Sequence, residues 1–350
     1  MFSFRKKDLI GIDIGSSLIK LVQLKESKEG YHLVKVGMKS LPAGAIVDRS
    51  IMDPAPVVEA VCDLVKSLGI KVRQAACSVS GNSVIIKKIS FPGMTVDEIE
   101  EQVQWEAEHY IPFDINDVNI DFHVLGPDEV DPAQMNVLLV ASKKDVISDY
   151  ISLFDRAGIN LTVLDVDSFA VQNAFEMNYN PSPDDVVALV NIGSSVMNIN
   201  IVKGGESHFT RDVPMGGNFY TNAIQKKLEV KEDEAEKLKV SAIVASDETL
   251  RDTIVQSNEA LALELYRSVE FYNDDAGGHR ITKVYISGGC SKAPFLLNAI
   301  QNRLHVPVEI INPFQNVICS DKQFVPGYLK EVGPHVAVAV GLAMRRYADK

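Results

Sequence analysis

What this chain lacks narrows its role before any motif is read. No apolar run approaches the roughly 18 to 20 residues that a membrane-crossing helix needs, and the longest, Val336–Met344, is about half that length. The opening residues, Met1 to Lys7, carry their charges after the apolar side chains and show no cleavage site, so they do not read as a signal peptide. Cysteine is scarce: Cys62, Cys77, Cys290 and Cys319 lie far apart, form no C-x-x-C pair and have no histidine at ligand spacing. Buried, reduced thiols and a cytoplasmic setting are therefore expected. Basic charge is also short, with 35 Lys and Arg against 47 Asp and Glu and a net charge of −12, and it gathers only in doublets such as Lys87-Lys88. Such a chain is a poor partner for a nucleic-acid backbone. The signatures G-x-x-x-x-G-K-[ST], G-x-G-x-x-G and H-E-x-x-H are absent. Ser17-Leu18-Ile19-Lys20 fits S-x-x-K, but its strand context and the missing K-T-G exclude a penicillin-binding serine.

What is present is ordinary globular composition, 46% apolar and 23% charged over 350 residues, enough for roughly two domains. Strands are predicted at Leu9–Gly15, Leu18–Leu24, Tyr31–Val36, Gln74–Ser80 and Val84–Ile89. A helix over Pro54–Leu68 has Asp53 as its N-cap and ends at Gly69. Thr95 and Glu98 form a capping box for a second helix, whose Ile99, Val103, Ala107 and Tyr110 share one face, with Trp105 off that stripe. Paired strands at Val118–Leu125 and Asn136–Ala141, a helix at Asp145–Ala157 and a strand at Leu161–Val166 complete a unit over 83–162 that reads as a small α+β insert. Asn178–Asp185, with Pro181 and Pro183, reads as a linker.

After that linker the opening pattern returns. Ile14-Gly15-Ser16-Ser17 is repeated as Ile192-Gly193-Ser194-Ser195, an offset of 193 − 15 = 178 residues, about half the chain. A repeat of that length is a domain duplication. A strand–Gly-Ser-Ser–strand hairpin aims backbone N–H groups and hydroxyls at one spot, which suits an anion. Gly15 and Gly193 would provide close backbone approach or positive φ, and two facing copies would clamp a polyphosphate from both sides. Asp13 is placed to hold Mg²⁺, through water, and Lys20 to reach a phosphate oxygen. Ser287-Gly288-Gly289-Cys290-Ser291 follows an apolar strand and would let a nucleoside lie against the backbone.

These residues resemble the actin/Hsp70/sugar-kinase superfamily, a duplicated α/β fold built on a ribonuclease H-like core. Gly11 to Ser17 resembles its first phosphate motif, Val190 to Ser195 its second, and Ile286 to Gly289 its adenosine motif. Phe169–Ala174 and Ala339–Ala343 are similar to the two helices that meet between the halves, and Glu236 and Lys239 to a pair that embraces ribose and adenine. Within the superfamily the chain is most similar to the PilM family of type IV pilus assembly proteins, itself FtsA-like. Glu106–Phe113, Asp165–Ala170 and Met215–Thr221 (with Gly216 and Gly217) carry that narrower resemblance. FtsA would end in an amphipathic membrane-targeting helix, and Arg345–Lys350 has no such face.

The resemblance implies three divisions: a first core of 1–82 plus 163–183, an inserted subdomain of 83–162, and a second half of 184–350 with its own insert over roughly 218–280. It implies ATP or ADP with Mg²⁺ held by Asp13, Gly15, Ser16, Ser17, Lys20, Gly193, Ser194, Ser195, Gly216, Gly217, Glu236, Lys239, Gly288, Gly289 and Ser291. Gln172 would position water. The acidic position of the second motif is Asn191, which cannot act as a base, so slow or negligible hydrolysis is expected. The partner implied is the cytoplasmic N-terminal segment of a PilN-like inner-membrane protein, with Tyr110, Pro112 and Phe113 near its groove. Pilus motor ATPases and self-association remain open as further contacts, and an alternative packing of that aromatic-proline turn into the insert's own core remains open as well. A sugar-kinase-type enzyme, an FtsA-like filament and a cleft that binds nothing are the competing readings.

Overall fold

The computed structural model describes residues 9–128, 131–241, 246–275, 279–320 and 323–346; the 1–7 and 347–350 stretches discussed above lie outside them. The strands are β1 (Ile10–Ile14), β2 (Leu18–Ser27), β3 (Gly30–Ser40), β4 (Ile46–Val47), β5 (Ser50–Ile51), β6 (Gln74–Val79), β7 (Val84–Pro92), β8 (Val118–Pro127), β9 (Gln134–Lys143), β10 (Asn160–Val166), β11 (Val186–Ile192), β12 (Met197–Lys203), β13 (Glu206–Val213), β14 (Lys283–Ser287) and β15 (Val308–Ile310). The helices are α1 (Pro54–Ser67), α2 (Val96–Ala107), α3 (Lys144–Arg156), α4 (Asp167–Tyr179), α5 (Gly217–Leu228), α6 (Glu232–Lys239), α7 (Glu248–Asp275), α8 (Leu296–Leu304), α9 (Tyr328–Val332) and α10 (Ala337–Met344).

Two five-stranded sheets share one topology. The first runs β10-β6-β1-β2-β3 and the second β15-β14-β11-β12-β13. In each, three sequential strands pair antiparallel and two later strands add in parallel on the other side of the first. Strands β1 and β11 are therefore central, and their runs Ile-Gly-Ile-Asp-Ile and Val-Val-Ala-Leu-Val-Asn-Ile are almost wholly buried, as strands covered on both faces must be. Helices α4 and α10 cross between the sheets, where Ala170, Val171, Val338 and Leu342 share one core.

The insert is a three-stranded antiparallel sheet, β7-β9-β8, covered by α2. Its helix starts as the sequence predicts: Thr95 caps Glu98 and Glu98 reaches back to the Thr95 amide at 2.8 Å. Helix α3 and strand β10 differ from the expected unit. Tyr150, Leu153 and Phe154 pack into the first core beside Val57 and Val61, and β10 pairs with β6. The covalent insert thus closes at β9, because α3 turns its apolar face to the first core. Two smaller expectations also change. Cys62 is exposed on α1, and Asn178 is 1% exposed. Its amide donates to Ala174 and Pro313 carbonyls, so the start of the presumed linker is a pin at the end of α4.

Candidate functional site

The two repeated turns form the same structure. Gly15 N–H donates to the Leu18 carbonyl at 3.0 Å, and Gly193 N–H to the Val196 carbonyl at 2.9 Å. Across the first hairpin Asp13 pairs in register with Lys20, and across the second Asn191 pairs with Asn198. Neither turn glycine has positive φ; a Cβ on Gly15 would lie 2.7 Å from the Lys20 amine, so it would displace that ammonium from its place at the turn. The turns meet: the Ser16 and Ser195 hydroxyls are 2.7 Å apart, across 179 residues of sequence. Ser17 is exposed beside them and Ser194 half-buried.

Behind that meeting point lies a charged cluster. Lys20 Nζ stands 3.0 Å from Asp13, whose side chain is only 7% exposed. Burial pushes the Asp13 carboxyl upward, and Lys20 opposes the shift. Asp167, at the start of α4, accepts hydrogen bonds from Ser78 (2.6 Å) and Ser80 (2.8 Å) and pairs with Arg49 at 2.8 Å. Burial would discharge Arg49, but Asp167 and then Asp13 outweigh it and hold the guanidinium charged. From the second half Asp212, at the solvent-exposed rim, accepts from the Gly81 amide at 2.5 Å and from Asn198 at 2.7 Å. The halves are thus joined by hydroxyls on one side of the cluster and a carboxylate on the other.

The Gly288–Ser291 turn abuts the second hairpin. Gly288 has φ +86, and a Cβ on it would lie 2.3 Å from the Ile192 carbonyl, so only glycine fits. Ser287 donates to Asn191 at 3.2 Å. Ser291 is spent on its own turn, donating to the Gly288 carbonyl at 2.7 Å. Beside Gly289 stands His335, its Nδ1 buried and without a hydrogen-bond partner. At the other flank, Gly217 N–H donates to the Gly193 carbonyl and Asn218 N–H to the Ser194 carbonyl, which staples α5 to the second turn at Gly216-Gly217. Lys239 Nζ reaches Glu236 (2.6 Å), Thr221 and the Gly217 carbonyl.

Gln172 is not brought to this cluster. Its amide donates to Glu176 and the Gly205 carbonyl, both at 2.8 Å, and accepts from Asn200 at 3.0 Å. These partners lie one turn further along α4, in the middle of β12 and in the turn that follows it. Tyr110 and Pro112 are exposed on the insert, whereas Phe113 packs partly into the insert's core under the Lys143 ammonium. Arg49, Ser78, Ser80, His335 and Asp212 went unmarked in the sequence, and Asp167 was marked only as part of a resemblance. A run such as Asp48-Arg49 carries no signal until the fold brings it to Asp167.

Among the described residues no group of three or more His, Cys, Asp or Glu is arranged to hold a metal, and no helix is long and apolar enough to cross a membrane. Twin sheets joined by crossing helices, with paired hairpin turns meeting between them, define an actin-like protein. The family model for type IV pilus assembly protein PilM matches residues 11–347. The chain belongs to that family. It is 22% identical to the cell division protein FtsA of Bacillus subtilis over 91% of this chain and 81% of that protein. Its structure superposes on a PilM-PilN type IV pilus biogenesis complex with TM-score 0.89 and 28% identity, covering 99% of this chain and 100% of that one. MreB5 of Spiroplasma citri bound to ADP shares the fold more distantly, with TM-score 0.50 and 11% identity over 89% and 93% of the chains.

Proposed function

We propose that this chain is a nucleotide-responsive adaptor of type IV pilus assembly, which binds ATP or ADP with Mg²⁺ between its halves and docks a PilN-like membrane protein. The observation that carries the reading is the meeting of the two hairpins at Ser16 and Ser195, with the Lys20–Asp13 pair flanking the first of the two turns. The donor set suits a magnesium polyphosphate. Turn amides, four hydroxyls and Lys20 supply hydrogen bonds and positive charge, and Mg²⁺ takes one or two carboxylates plus phosphate oxygens and keeps several waters. Asp13 fits that role, because a cation would relieve a carboxylate that burial makes costly to ionise. Bound Mg²⁺ would neutralise phosphate charge.

Hydroxyls 2.7 Å apart leave no room for a phosphate between them. Nucleotide binding therefore parts Ser16 from Ser195 and alters the angle between the halves, which is differential binding to two conformations. Asp212 ties that motion to Gly81, three residues before the insert begins at β7. Hydrolysis is slow, since Asn191 has no negative charge and Gln172 is engaged elsewhere. The PilM-PilN match supports a PilN-like partner, and its cytoplasmic segment docks, on this reading, between the first core and the insert.

Calorimetric titration with MgATP and MgADP, with phosphate release followed in parallel, tests the first half of this reading. Binding with release far below ~1 s⁻¹, the low end of working enzymes, is expected. Faster release would restore the kinase reading, and no binding would leave only a scaffold. Titration with the PilN-like N-terminal peptide, with and without nucleotide, tests the second half.

A further inference from the structure

Arg49 is a cationic group of the cleft that the proposed function does not use. It sits in the two-residue turn between β4 and β5, where Asp48 (φ 48) and Arg49 (φ 67) both adopt left-handed backbone. Neither is glycine, and such conformations cost free energy that a fold retains only when its surroundings hold them in place. The turn carries a guanidinium that is only 11% exposed. One of its terminal nitrogens meets Asp167, while its Nε is buried with no acceptor. A buried donor left unbonded is unfavourable, and an incoming oxyanion would relieve it.

Asp167 does not depend on Arg49 for its hydrogen bonds, because Ser78 and Ser80 already donate to both of its oxygens. The guanidinium can therefore turn toward a ligand without orphaning the carboxylate. Its position in the cluster indicates which part of a ligand it would meet. His335 stands against Gly289, Lys20 pairs with Asp13 beside Gly15, and Arg49 pairs with Asp167 with its stem against Gly81. A nucleotide with its nucleoside at the glycine turn and its first phosphates at Lys20 thus reaches Arg49 last. A planar fork suits a terminal phosphate, which offers three oxygens.

We infer that Arg49 is the ligand of the terminal phosphate of a nucleoside triphosphate and sets the preference for triphosphate over diphosphate. This rests on the proposed nucleotide site. Arg49→Gly is the direct test, since glycine accepts the left-handed backbone that arginine strains. MgATP and MgADP are titrated separately into the full-length wild-type and variant proteins by calorimetry. Wild type should favour MgATP. Arg49→Gly should weaken MgATP by roughly 10- to 100-fold, the range of one charge-assisted hydrogen bond, and leave MgADP unchanged. Arg49→Lys, which keeps the charge on a single nitrogen but loses the planar fork, should fall between them and serves if the glycine variant does not fold. An equal loss for both nucleotides, or none for either, overturns the inference while leaving the nucleotide site standing. Failure of the wild type to bind either nucleotide overturns both.

Discussion

Helices α4 and α10 approach so closely at the junction of the halves that one methyl group measures the contact. A Cβ on Gly341 would lie 1.7 Å from the Ala170 carbonyl oxygen and 2.5 Å from its carbon. Real Cβ contacts do not fall below 3.0 Å, so Gly341→Ala must part the helices by at least 3.0 − 1.7 = 1.3 Å. Relaxation is limited on the opposite side, where α10 backbone lies 2.1 Å from the Cβ position of Gly11 on β1. Overpacking costs about 1 to 3 kcal/mol, and an obstacle made of backbone puts this case at the upper end. With an unfolding entropy near 2.1 cal/mol/K per residue, 350 residues give about 0.7 kcal/mol/K, so ~3 kcal/mol lowers the midpoint by ~4 °C. Differential scanning calorimetry reads this shift directly. Gly333→Ala is the control: its Cβ would stand 3.3 Å from the Pro313 side chain, and a change within about 1 kcal/mol is expected. If Gly341→Ala melts with the control, the helix contact does not hold the halves in the way described.

Lys20→Met leaves Asp13 buried without its cation and removes the hairpin's ammonium, so MgATP affinity should fall at least about tenfold by calorimetry; unchanged affinity would place the phosphates elsewhere. His335 is held neutral in the fold, its pKa lowered from 6.5 to about 4 by burial and then by Lys292 and Lys20. The unfolded chain therefore binds the extra proton between those values, and stability present above pH 6.5 is lost as pH falls toward 4. Discounted for partial exposure, the loss is on the order of 2 kcal/mol; urea unfolding at pH 5 and 7 should show it, and His335→Gln should flatten it. Phe113→Ala should cost roughly 1 to 3 kcal/mol of insert stability because its ring packs in the core, whereas Trp105→Ala, at an exposed site on α2, should stay within ~0.5 kcal/mol. Thermal melts of both variants separate the insert's packing from its surface.

The parts of this protein written locally were legible in its sequence. Alternating side chains give the hairpins, reciprocal bonds of Thr95 and Glu98 start α2, and identical Ile-Gly-Ser-Ser turns announce the duplication that the twin sheets display. Each depends on residues within a turn or a few neighbours, so spacing alone encodes it. The meeting of Ser16 with Ser195, of Arg49 with Asp167 and of Asp212 with Gly81 depends on how two sheets and a loop come together across 179, 118 and 131 positions. Sequence spacing carries no such distance information. The same limit holds for Gln172, whose helical position was apparent but whose side-chain bonds to Glu176 on its own helix and to Asn200 and Gly205 on the opposite half were not. Composition and local pattern determined what the halves are. Tertiary packing alone decided which charges face each other between them, because burial across the cleft sets both their pairing and their protonation.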